Sequence, residues 1–246
     1  MTESTEPGAE FNAERAACTP HPLDEAGFNP AALLPHGLQT DHVRAAMQEW
    51  LEFLGFINGQ LATRGIKRFE AMLMPANFSS MVGEFLISSV PKYCSGLVKN
   101  AYHNGHPDLI PAARFPRDAV QHAEEGIEVK SSRYLRGWQG HNPEDTWLLV
   151  FVFDSNRPVD ETGGIVPRPF RFVKVVGAQL EKSDWTFVGR SETSRRTITA
   201  AINSAGFEKM EANWIYRDRA LLKAPKAAAQ GAAPKPPSEA AVEVEG

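Results

Sequence analysis

The chain has 246 residues, 42% of them apolar and 23% charged, with two cysteines and a formal net charge of −4. That length suits one globular domain, no run approaches the roughly 18 apolar residues of a membrane span, and two cysteines are too few for a disulfide framework. Once the acid-rich start (six acids and Arg15 in residues 1–36) and the evenly charged tail from Lys223 are set aside, 22 basic and 21 acidic residues remain, a balance that excludes a passive, uniformly basic nucleic-acid coat.

Residues 1–36 mix Pro, Ala, Glu and Thr with little apolar periodicity and are expected to be disordered; their polar, acidic start is no secretory signal, which points to the cytoplasm. Val43, Ala46, Met47, Trp50, Leu51, Leu54 and Ile57 then recur at helical spacing behind a Thr40–Asp41 cap, with Gly55 and Gly59 weakening the far end. A second helix follows Asn77, carries Phe78, Met81, Val82, Phe85 and Leu86 on one face, and stops or kinks at Pro91. Strand patterns come next: alternation at 127–130, a fully apolar run at 147–153, alternation again from Phe170, and a short strand at Trp185–Val188. A helix over Thr193–Ala205 with Gly206 just beyond it closes the domain. The tail over 223–246 is Ala/Pro-rich and reads as disordered. The order predicts an α/β domain over 37–222, a central mixed β-sheet flanked by helices.

One segment stands out chemically. In Ile127-Glu128-Val129-Lys130, alternation turns the two apolar side chains to one face and the acid and amine to the other, about 6–7 Å apart. Placing both charges on a core-building strand is costly unless they are paired or used. A second acid, Asp108, lies twenty residues earlier in His-Pro-Asp-Leu-Ile-Pro, far enough for the chain to turn back beside Glu128. Two acids from neighbouring strands and one amine are what metal-assisted phosphodiester hydrolysis asks for: oxygen ligands for magnesium and a cation near the attacking water.

Pro107-Asp108 followed by Glu128-Val129-Lys130 on a strand resembles the PD-(D/E)xK nuclease superfamily, to which many type II restriction endonucleases belong; the likeness covers roughly residues 77–155. The resemblance implies that Asp108, Glu128 and the Val129 carbonyl bind one or two Mg2+ ions and that Lys130 activates the attacking water. It further implies that Glu84, on the preceding helix, serves a second ion, and that the products carry a 5′-phosphate and a 3′-hydroxyl. The expected activity is cleavage of double-stranded DNA by a restriction-type endonuclease, with a homodimer as a possible assembly. The alternatives are a repair, recombination or transposition nuclease of the same fold, and a DNA-binding module that does not cut.

Arg133, Arg136, Gln139 and His141, just past the catalytic strand, and Arg195 and Arg196, near the start of the last helix, are candidates to touch the duplex. The alternative for the first group is a structural loop with Trp138 packed inward. His103 and His106, three apart, could form a metal cluster with Asp108, but no zinc spacing follows and cysteine partners are missing, so they are read as surface or DNA-facing.

Overall fold

The computed structural model describes residues 7–140, 142–188 and 199–223. Helix α1 (Pro7–Ala17) leads into a strap over 18–39 that contains a 3-10 turn at Glu25–Gly27; α2 (Thr40–Thr63), the short α3 (Phe69–Met72) and α4 (Pro75–Tyr93) follow. Strands β1 (Leu97–Lys99), β2 (Leu109–Pro111), β3 (Ile127–Ser132), β4 (Gln139–Gly140) and β5 (Thr146–Asp154) come next, then the short α5 (Pro158–Thr162). The chain continues through β6 (Arg171–Leu180), β7 (Trp185–Val188), β8 (Thr199–Ile202), α6 (Ser204–Ala212), β9 (Trp214–Arg217) and α7 (Arg219–Lys223).

Six strands form one mixed sheet in the order β1-β2-β3-β5-β6-β9, in which only β3 and β5 run parallel to each other as neighbours. A second sheet, β4-β8-β7, lies beside it. The apolar run at 147–153 is β5, in the middle of the large sheet and buried on both faces, as a strand with no polar side should be. Its alternating side chains divide the interior in two. Trp147, Leu149, Phe151 and Phe153 join Ile127, Val129 and the apolar stripes of α2 and α4. Leu148, Val150 and Val152 join Trp138, Trp185, Ala200, Ile202 and Met210, so that the small sheet and α6 cover the other face. The α/β architecture is the one the apolar periods imply.

Three local expectations change. Residues expected to be disordered before position 37 pack on the domain: Ala17, Cys18 and Leu23 are buried, and Asn29 donates to the Trp214 carbonyl at 2.8 Å. Leu23 and Leu38 of this strap enter the main core and Phe28 and Leu34 pack against it, and backbone and amide hydrogen bonds tie it to the end of the domain; its apolar residues follow no helical or strand period, so the pattern does not reveal the packing. Both glycines lie inside α2, and Gly55 is where the strap crosses, since a Cβ there would lie 3.1 Å from the Pro20 ring. The helix expected over Thr193–Ala205 is replaced, where described, by strand β8 at 199–202; the helix begins at Ser204 because the Asn203 side chain accepts from the Gly206 N–H and caps it. Lys223, assigned to the tail, ends α7, and 224–246 lie outside the described residues. No helix among the described residues is long and apolar enough to cross a membrane.

Candidate active site

The site is built where β2 meets β3. Leu109 pairs with Ile127 antiparallel, both in the core that α2 and α4 cover. One residue along that register, Asp108 falls opposite Glu128, and the pleat turns both to the other face of the sheet. Gly126 permits this approach: its φ is +143°, and a Cβ there would meet the Leu109 carbonyl oxygen at 2.3 Å and the Pro107 ring at 2.4 Å.

Asn100, 7% exposed, holds the loop between β1 and β2 in shape. Its amide donates to the Pro107 carbonyl at 3.0 Å and the Val120 carbonyl at 2.8 Å. Its oxygen accepts from the Tyr102 and Val120 N–H groups at 3.0 and 3.1 Å. All four bonding positions of the side chain are thus used. His106 is placed by its own backbone, donating to the Gln121 carbonyl at 3.0 Å and accepting from Ala123 at 2.9 Å.

The side chains form one chain of contacts. Asp108 Oδ2 accepts from the Val129 N–H at 2.9 Å, and the strand register sets its carboxyl group beside that of Glu128. Lys130 Nζ donates to Glu128 Oε1 at 2.9 Å, and His106 Nδ1 faces Glu128 Oε2 at 3.1 Å. Burial and the facing Glu128 carboxylate push Asp108 up to about 7. Burial works against the charge on Glu128 too, but the His106 hydrogen bond and the Lys130 ammonium outweigh it and hold Glu128 down at about 2. His106 is raised: burial opposes its charge, and the bond to Glu128 with the nearby Glu144 and Asp108 carboxylates prevails. Two facing, largely buried carboxyl groups favour a shared proton or nearby positive charge; Lys130 and His106 supply that charge on the Glu128 side, and the space by Asp108 is left for a proton or a cation. The donor set, hard oxygens with an ammonium alongside, fits magnesium.

Asp108, Glu128, Val129 and Lys130 are therefore brought together. Glu84 is not. It sits on α4, which covers the opposite face of the sheet, its side chain is 66% exposed, and it pairs with Lys99 of β1 at 2.9 Å. Arg133 turns into the structure: it bonds the Ser155 carbonyl and hydroxyl at 2.8 and 2.6 Å and lies over the rings of Phe78 and Phe153. Burial lowers its pKa to about 10, the environment of a packed cation and not of a DNA-facing one. Trp138 packs inward and donates to the Tyr134 carbonyl. Arg136 and Gln139 are exposed, Arg136 lying over the Phe207 ring. His141, Arg195 and Arg196 lie outside the described residues. A cavity of about 400 Å3 opens at the far end of β3, not at the carboxylates. Each of its arginines is engaged: Arg133 as above, Arg157 by Asp160 and Arg168 by Asp154.

His106 is the residue sequence reasoning misplaced. His103 is exposed as expected, whereas His106 contacts Glu128 and Glu144. The signal was available: residues two apart on an extended segment share a face, so His106 goes where Asp108 goes. No family model, curated protein or solved structure matches this chain.

Proposed function

We propose that this chain is a magnesium-dependent endonuclease acting on double-stranded DNA, of the restriction type. The observation that carries the reading is the meeting of Asp108 and Glu128 across β2 and β3, with Lys130 on the same face beside them. Three groups from segments twenty residues apart converge on one point, at the cost of burying two acids against each other. A surface ion pair would need neither the second acid nor the burial.

Magnesium, held by Asp108, Glu128 and the Val129 carbonyl, would supply charge neutralisation at the phosphate and a water of lowered pKa. Asp108 would hold the ion as a carboxylate, which the Val129 N–H fixes in place. Lys130 orients the attacking water and stabilises the negative charge that grows at the phosphate. His106 clamps Glu128 from the side away from Lys130, leaving the carboxylate one orientation. A two-fold assembly of such domains would match a palindromic site.

The experiment is incubation of the purified chain with supercoiled plasmid in magnesium, with and without chelator. Discrete linear fragments that chelator abolishes are expected. Preference for branched or damaged duplexes would place the same chemistry in repair or recombination. Absence of cleavage of any DNA with magnesium or manganese would refute the reading.

A further inference from the structure

Beside the carboxylate pair lies a second cluster with different chemistry. His106, His122 and Glu144 each offer one ligand atom, and these atoms lie within 4.8 Å of one another. The backbone builds the cluster: His106 and His122 face each other through a parallel bridge, with ring centroids 5.3 Å apart. Glu144 is fixed at the entry to β5, where its carbonyl accepts from the Trp185 indole N–H at 3.0 Å.

The decisive atom is His106 Nε2. It is buried and has no hydrogen-bond partner among the described residues. Glu144 Oε2 is only 3.3 Å away but out of line for a hydrogen bond. On the other side of the ring, Nδ1 faces Glu128 Oε2. With the Nδ1 proton directed at that carboxylate, the lone pair of Nε2 leaves the ring off the line to the Glu144 oxygen, as the lone pairs of two ligands of one ion do. Two electron-rich atoms held at 3.3 Å with no hydrogen bond joining them repel, a cost that a cation bound by both relieves.

We propose that His106, His122 and Glu144 form a binding site for a first-row transition ion, of which zinc is the best fit, separate from the magnesium pair. Two imidazoles and one carboxylate are a set that binds zinc and leaves a fourth position for water. Zinc bonds of about 2.0–2.1 Å put neighbouring tetrahedral ligands roughly 3.3–3.5 Å apart, which is the spacing of His106 Nε2 and Glu144 Oε2. His122 is exposed and has room to close the remaining distance. Glu128 then plays the part of the carboxylate that orients a metal-bound histidine from behind, a partner that sharpens affinity 10- to 100-fold in such sites. The site does not rest on the nuclease reading; it stands on these side chains alone.

The test uses the full chain, stripped with chelator and titrated with zinc by calorimetry, then with cobalt(II) followed by visible absorption. One zinc per chain is expected, with cobalt bands of the intensity of a four-coordinate site. His122→Ala and Glu144→Gln, both at accessible positions, are each expected to weaken zinc at least tenfold, with unchanged circular dichroism. Asp108→Asn, which removes the magnesium pair, is expected to leave zinc affinity within about threefold. Absence of zinc binding by the wild-type chain would overturn the proposal and leave His106 as a protonated bridge between two acids. Unchanged affinity in His122→Ala, or loss in Asp108→Asn alone, would move the ion to the carboxylate pair and overturn it equally. Plasmid cleavage is not a readout, so failure of the nuclease activity and failure of this site are told apart.

Discussion

Replacing Asp108 by Asn keeps the shape of the side chain and an oxygen to accept from Val129, and removes one of two facing carboxyl groups. In the metal-free chain Asp108 is raised from 3.8 to about 7, so its charge is a liability of the folded state. The raised value fixes the sign: this liability is absent at low pH and grows as pH rises from the unfolded value to the folded one. The raised acid constant costs about 2 kcal/mol at pH 5 and about 4 kcal/mol at pH 8. Metal-free Asp108→Asn should accordingly be more stable than wild type, with an advantage that roughly doubles between those pH values. For a domain of this size 4 kcal/mol corresponds to a melting temperature higher by about 8–16 °C. Thermal melts in chelator at pH 5 and pH 8 read both numbers. Adding magnesium should then raise the melting temperature of wild type and leave the variant where it was, because the ion stabilises only a chain that binds it. A variant no more stable than wild type at pH 8, or an advantage that does not grow with pH, would refute the account of two acids forced together.

Lys130→Ala should slow plasmid cleavage by about 10²–10³-fold, as loss of one stabiliser of a charged transition state does, while DNA binding in calcium stays within about threefold; gel-shift and cleavage assays separate the two. Glu84→Ala should leave cleavage within about twofold and stability within about 0.5 kcal/mol, since among the described residues it pairs with the exposed Lys99 alone; a large loss of activity would return Glu84 to the site. Asn100→Ala strips a buried four-bond anchor and should cost roughly 2–4 kcal/mol, read by urea unfolding.

The helices α2 and α4 and the strands β3, β5, β6 and β7 are legible because each carries its own period, 3.6 or 2 residues, or a run with no polar side. The Asp108–Glu128–Lys130 set is legible for a related reason: alternation on one strand fixes the face of Glu128 and Lys130, and chemistry asks for one more acid. What escaped was decided by partners distant in sequence. The Ala-rich stretch at 199–202 has helical propensity, but pairing with β7 makes it a strand, and Asn203, a strong helix cap, was the local sign of where the helix starts. Arg133 and Glu84 have the right residue types near the right positions. Only the packing reveals that one lies over Phe78 and Phe153 and that the other is on the far side of the sheet. His122 and Glu144 come from two separate loops, and no spacing rule joins them.

Much of the strap before α2 is fastened to the last described stretch of the chain. Asn29 reaches Trp214 and Ile215, Leu33 and Asn213 exchange two hydrogen bonds, Asp24 holds Arg219, and the Phe28 ring packs at a tilt against Tyr216. These partners are separated by 180 residues or more. At ribosomal rates of about 5–20 residues per second, the strap waits roughly 10–40 s for the segment that receives it. Until then Phe28 lacks its Tyr216 partner. The seam between the strap and β9 is therefore a latch that closes late, its second half following the first by most of the domain.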